Sequence, residues 1–235
     1  AQKIDEASIA LISFIETSSE KDQLGPLKLL FETDTDVNRL TQYFEKWLTK
    51  SNEPAVRSFL VRSLGQLFLE LRDFRSAAAV YDQGGPAGEF LIVSGRLHLL
   101  LGNADEARSR FAMVLGSSDK SLVEHAASGL SWIYWSQGDP KKAFEIVKNQ
   151  TGAASLTLQC LIARSLGQTK DELAAIERLR TSYPRSVWLS LVDNHNDPAM
   201  QIDSLLLVLT GIGPAAGGTI RPVAPVSIAG AGSSQ

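Results

Sequence analysis

Leu64-Gly65-Gln66-Leu67-Phe68, followed by Arg72-Asp73-Phe74 and then Ala77-Ala78-Ala79-Val80-Tyr81, is the stretch on which the reading of this chain turns. Its small and aromatic residues recur further along. Gly95, His98, Gly102, Ala107 and Phe111 form a second copy. Leu130-Ser131, Tyr134, Gly138, Ala143 and Val147 form a third. Cys160, Ala163, Gly167, Ile176 and a closing Tyr183-Pro184 form a fourth. A period of about 30 to 36 residues built this way predicts stacked helix–turn–helix units. Small residues let the two helices of a unit approach, and the aromatics fill the space beside them. The copies also depart from one another. His98 stands at an aromatic position, Val147 replaces the second-helix aromatic, and Glu172 stands where an Ala is expected. Glu172 leaves the register of the last unit open. The uneven gaps between Gly65, Gly95, Ser131 and Cys160 require turns of different length between units.

The pattern resembles the tetratricopeptide repeat, whose signature runs W-x2-L-G-x2-Y, then A-x3-F, then P. The resemblance covers roughly residues 61–184 and is strongest in the copy that begins near Val61. It implies an all-α, right-handed superhelical solenoid of antiparallel helix pairs, with first helices lining a concave groove that binds peptides. On that register Arg62, Gln66, Arg96, Ser128, Trp132, Trp135 and Arg164 fall on the concave side. Trp and Arg are favoured anchors for protein partners.

Composition agrees with a globular chain. The 235 residues are 44% apolar and 21% charged, enough apolar material for a sizeable core. The formal charge is −3, and no Lys/Arg-rich run gives a footprint for nucleic acid or an anionic membrane surface. No apolar stretch reaches the roughly 20 residues needed to span a bilayer as a helix. The single cysteine, Cys160, has no internal disulfide partner and fits the small-residue position of a repeat helix. No cation in the sequence pattern marks it as reactive.

Outside the repeats, residues 1–54 read as degenerate helical units. Ile4 to Ile15 form an amphipathic helix, and Gly25-Pro26 opens a short second one. Val37, Leu40, Tyr43, Phe44, Trp47 and Leu48 line one face of a third, capped by Asp34 or Asp36. Pro54 suits the first turn of the next helix. Residues 55–184 hold the repeats, with turns at Arg72-Asp73, Gly102-Asn103, Gly138-Asp139 and Gly167-Gln168. In these, Gly supplies the left-handed residue that ends a helix, and Asp or Asn caps the next. Residues 185–210 read as two capping helices, over 186–192 and 198–210, and residues 211–235 as a disordered or extended Gly/Pro/Ala/Ser-rich tail. That tail suggests a linker to a further domain. A first residue other than Met suggests a removed leader, as in a periplasmic or envelope-associated bacterial protein.

Catalytic and metal motifs find little support. Asp34-x-Asp36-x-Asn38 with Glu45 has the outline of a calcium loop, but Arg39 occupies the position that needs Gly. His98, His125 and His195 lack ligand spacing. Gly211 to Gly218 lacks the Lys-Ser/Thr of a phosphate loop. The expectation is therefore a non-catalytic interaction scaffold with no cofactor, binding a protein or peptide, and compatible with a homo-oligomer. The alternative is an accessory ligand-binding protein of a bacterial envelope system, holding a small molecule in a pocket or pore of the stack.

Overall fold

A computed structural model describes residues 2–193. In chain order they form α1 (Gln2–Thr17), one 3-10 turn (Glu20–Asp22), α2 (Leu24–Thr33), α3 (Val37–Lys50) and α4 (Pro54–Glu70). There follow α5 (Phe74–Asp82), α6 (Gly88–Leu100), α7 (Ala104–Val114) and α8 (Lys120–Ser136). The described part closes with α9 (Pro140–Val147), α10 (Ala153–Ser165), α11 (Thr169–Ser182) and α12 (Val187–Asp193). No strand occurs among the described residues. The helix expected over 198–210 and the tail over 211–235 lie outside them.

Four hairpins, α4/α5, α6/α7, α8/α9 and α10/α11, stack in sequence. Each second helix packs on its own first helix and on the first helix of the next unit. The first helices α6, α8, α10 and α12 also touch in series. This nearest-neighbour packing makes the chain an all-α helical-repeat solenoid.

The turn inside each hairpin repeats one device. Arg72, Gly102, Gly138 and Gly167 all have positive φ, at 58°, 80°, 84° and 69°. The amide of the following residue donates to a carbonyl five positions back: Asp73 to Phe68 (2.9 Å), Asn103 to His98 (2.8 Å), Asp139 to Tyr134 (2.9 Å) and Gln168 to Ala163 (2.9 Å). These are Schellman caps, which satisfy carbonyls that the helix end leaves without partners. Asp73 and Asp139 then cap the second helix by accepting from the amides of Ser76 (3.0 Å) and Lys142 (3.0 Å). Asn103 does not cap, contrary to expectation. Its amide group reaches His98 Nδ1 instead, at 3.4 Å.

The shared cap fixes the register of all four units. Seven residues before each left-handed residue stand Gly65, Gly95, Ser131 and Cys160. Five after stand Ala77, Ala107, Ala143 and Glu172. The last unit therefore keeps its register despite Glu172. The longer side chain is accommodated because Arg164 Nε on α10 pairs with Glu172 Oε1 at 2.7 Å. Side-chain volumes across each hairpin are matched. A Cβ on Gly65 would stand 2.5 Å from the Tyr81 ring, and one on Gly95 2.7 Å from the Phe111 ring. Where the second-helix residue shrinks to Val147 or Ile176, the facing position grows to Ser131 or Cys160.

In the N-terminal part the two candidate caps divide the work. Asp36 Oδ1 accepts from the Arg39 amide (3.1 Å) and caps α3. Asp34 is buried and takes a two-pronged bond from Arg39, at 2.7 Å from Nε and 2.7 Å from Nη2. Burial pushes the Asp34 carboxyl up, but Arg39 and the Asp36 amide outweigh it and hold it below the ordinary value. Arg39, which broke the calcium-loop pattern, is thus a structural clamp.

Candidate protein-binding surface

The side chains placed on the concave face by the repeat register meet different fates. Arg62 and Gln66 on α4 are exposed. Arg62 pairs with Glu89 on α6 and lies 5.8 Å from the Phe90 ring centroid. Gln66 donates to Glu70 at 3.0 Å. Trp132 and Trp135 on α8 are half-buried in apolar clusters between the third and fourth units. Trp132 also belongs to the cluster beneath α6 and α7, and its indole N–H is buried without a partner. These tryptophans therefore join neighbouring units. Arg164 is occupied by Glu172, and its Nη2 lies 3.5 Å from the Val192 carbonyl. The same Nη2 stands 4.0 Å from Cys160 Sγ, a cation that the sequence pattern did not reveal. Cys160 itself is buried.

Arg96 and Ser128 do come together, in a recess of about 320 Å³ where α6, α8, the start of α10 and α12 converge. Ser121, Glu124 and His125 of α8, Gly152 to Ala154 at the head of α10, and Trp188 of α12 complete its wall. Arg96 Nη2 lies 3.0 Å from His125 Nδ1. A guanidinium only donates, so Nδ1 accepts and the proton sits on Nε2. Burial, and then the charge of Arg96, push the His125 pKa below its ordinary value. Burial also lowers that of Arg96. Glu124 Oε1 accepts the amide of Gly152, the N-cap of α10, which has no side chain with which to cap the first-turn amides. Ser128 Oγ and Ser155 Oγ share a buried hydrogen bond of 2.8 Å. Of this group, sequence reasoning set His125 aside and did not single out Ser121, Glu124 or Trp188. Arg96 and His125 are 29 residues apart, close to one repeat, and that offset was the available signal.

A second recess, of about 350 Å³, lies against α5 and the α6–α7 turn beside His98. His98 Nε2 stands 3.0 Å from Asp82 Oδ2, and Asn103 reaches Nδ1. Ser94 Oγ also donates to Asp82, and Arg110 Nε lies 3.0 Å from Asp82 Oδ1. Burial pushes the Asp82 carboxyl up, but Ser94, His98 and Arg110 together hold it below its usual range. The polar cluster explains why His can replace an aromatic here. Both ring nitrogens thus have polar partners within the fold. Among the described residues no group of three or more His, Cys, Asp or Glu could hold a metal ion. No described helix is long and apolar enough to cross a membrane.

The fold and the recess define a class: a helical-repeat solenoid of TPR type with an open recess across its first helices. No protein-family model matches the sequence and no curated protein matches it. Solved structures align with the chain. YrrB, a TPR protein with an unusual peptide-binding site, aligns over 78% of this chain and 97% of its own at 12% identity and a TM-score of 0.57. Pseudomonas aeruginosa pilF aligns over 83% and 100% at 15% identity and a TM-score of 0.45. A tetratricopeptide repeat protein from Parabacteroides merdae aligns over 90% and 100% at 13% identity and a TM-score of 0.31. The likeness to YrrB establishes the TPR-like fold.

Proposed function

We propose that this protein is a non-catalytic interaction scaffold that holds a segment of a partner protein against its first helices. The observation that carries the reading is the recess bounded by α6, α8, α10 and α12. Successive first helices present polar side chains, an indole and an open helix start to one volume. A segment lying there would touch several units at once. Contacts from helices already ordered cost little further entropy. The recess is open on one side, which suits a chain segment better than an enclosed small molecule.

Peptides selected from a random display library on the full chain test the reading. They are expected to bind the wild type and to lose at least about tenfold in affinity to Ala154→Arg, which fills the recess, a loss equivalent to 1.4 kcal/mol. Glu177→Ala, on exposed α11, is the control and should bind as the wild type does. Circular dichroism would establish that both variants are folded. Selected peptides that bind Ala154→Arg undiminished would sink the reading.

A further inference from the structure

We propose that the joint between the second and third units is pH-sensitive, held closed by a hydrogen bond from Arg96 on α6 to His125 on α8 and opened when His125 takes up a proton. The inference concerns the stack itself and does not depend on the groove reading above. Polar contacts bridge each successive pair of first helices. Arg62 meets Glu89 across α4 and α6. Arg96 Nη2 meets His125 Nδ1 across α6 and α8, at 3.0 Å. Ser128 Oγ meets Ser155 Oγ at 2.8 Å across α8 and α10, where Glu124 also takes the Gly152 amide. Arg164 Nη2 meets the Val192 carbonyl across α10 and α12, at 3.5 Å. An imidazole takes part in one of these bridges, the one between α6 and α8.

That bond has a fixed direction. A guanidinium carries donors only, so Nδ1 accepts, and it accepts only while unprotonated. Protonation turns Nδ1 into a donor and sets two cations side by side, so the bridge is lost and its ends repel. Histidine is the side chain whose charge changes between about pH 5 and 8. The chain has three: His98, His125 and His195, the last outside the described residues. His98 has the opposite arrangement. Its Nε2 stands 3.0 Å from the Asp82 carboxylate, which accepts from the ring whether or not the ring is charged. His125 is exposed enough to take a proton from water, whereas Arg96 is half-buried. The charges that act on His125 are Arg96 from α6, and Glu124 and Asp119 from its own helix. Gly152 to Ala154 of α10 and Trp188 of α12, which share the recess, bear no ionisable side chain. α7 and α9 pack on α8 through Phe111 and Val114 and through Ala143 and Val147, and add no charge at His125. Burial and Arg96 hold the His125 pKa below its ordinary value, against the smaller pull of Glu124 and Asp119. The bridge therefore contributes its full stability above about pH 6.5, the unfolded value, and loses it as pH falls through the lowered native value. The apolar cluster around Phe111 does not titrate, so the joint opens locally while the units stay folded.

Hydrogen exchange of the full chain, read by mass spectrometry at about pH 7.5 and about pH 5, tests the joint. His125→Asn keeps an acceptor near the Nδ1 position that does not titrate in this range. Dividing each rate by that of His125→Asn at the same pH removes the intrinsic effect of pH on exchange. The wild type is expected to match His125→Asn at the higher pH and to exchange at least about threefold faster at the lower pH, in α6 and the first half of α8. The other described helices should keep a ratio of about one at both pH values. Arg96→Met has no bridge to lose, so its ratio to His125→Asn should be the same at both pH values. Nitrogen NMR of the wild type locates the proton without any variant, and at the higher pH it should sit on Nε2 with Nδ1 bare. Circular dichroism should show the same helix content at both pH values. The proposal is overturned by any one of four results. These are a wild type that responds to pH as His125→Asn does, a pH-dependent ratio that survives Arg96→Met, a proton on Nδ1 at the higher pH, or a loss of helix at the lower pH.

Discussion

Two glycines in helices show how one residue type acquires opposite meanings. Gly25 lies in α2 and a Cβ there would meet nothing within 4 Å. Gly95 lies in α6 with the Phe111 ring 2.7 Å from the place its Cβ would take. Phe111 is 1% exposed, and a Cβ on Gly129 of α8 would stand 2.4 Å from the same ring. The ring is therefore held between two glycines on successive first helices. Helix propensity alone favours Ala over Gly by about 1 kcal/mol at either site. At Gly25 nothing packs against an added methyl, but Pro26 follows and disfavours helical backbone at a residue with a Cβ, so Gly25→Ala should stabilise by less than about 0.5 kcal/mol. At Gly95 a methyl group must push a fully packed ring, at a cost of about 1 to 3 kcal/mol for overpacking. Gly95→Ala should therefore destabilise, and Gly95→Ala with Phe111→Leu should recover part of the loss. Urea denaturation of the variants reads all of these. A stabilised Gly95→Ala protein would mean that the clamp on Phe111 does not exist.

At the scale of the helix and its turn, one hairpin carries a defect that the others lack. Gly holds the left-handed position in three hairpins, and Arg72 holds it in the first. A side chain in that conformation costs roughly 1 to 2 kcal/mol. Gly also enlarges the freedom of the unfolded chain, which offsets part of the gain. Arg72→Gly should still stabilise by about 0.5 to 1 kcal/mol and raise the melting temperature, whereas Gly138→Ala should lower it. Thermal unfolding followed by circular dichroism decides, and a lower midpoint for Arg72→Gly would refute the strain. The same turns explain what the sequence made legible. A left-handed cap, a small residue seven positions earlier and a small residue five positions later are all set by local steric demands, so spacing revealed them. The last unit looked doubtful only because Glu172 breaks the small-residue rule, and its partner Arg164 lies on the other helix of the hairpin. The recess was less legible for a related reason. Arg96, His125, Gly152 and Trp188 come from four successive units, so no local pattern joins them. Trp132 and Trp135 drew attention as anchors by residue type, yet their neighbours in space make them seams between units. Asp82 escaped notice because Ser94, His98 and Arg110, which meet it, stand on two later helices.

For the whole molecule, the apolar core is not one body. One cluster runs from Ile15 to Leu97 across α1 to α6. A second, from Leu91 to Ile133, ties α6, α7 and α8 together around Phe111. Two more lie under the last units, around Leu158 and around Leu156 and Leu179. Long-range order is therefore transmitted through neighbours, and a lesion should spread by distance along the stack. Phe111 is the sharpest place to cut, since its ring alone touches glycine positions on both α6 and α8. Phe111→Ala should cost about 3 to 5 kcal/mol, because a large cavity opens where the glycines cannot collapse far enough to fill it. Hydrogen exchange read by mass spectrometry should show the greatest loss of protection in α6, α7 and α8. The clamp of Arg39 on Asp34 and the aromatic packing of Phe31, Phe44 and Phe59 should keep α2 and α3 protected, since neither depends on Phe111. The units beyond the cut hold smaller clusters and should lose more protection than the N-terminal part. Equal loss of protection from α1 to α11 would show a single cooperative core. The segment-by-segment account of the solenoid would then have to be abandoned.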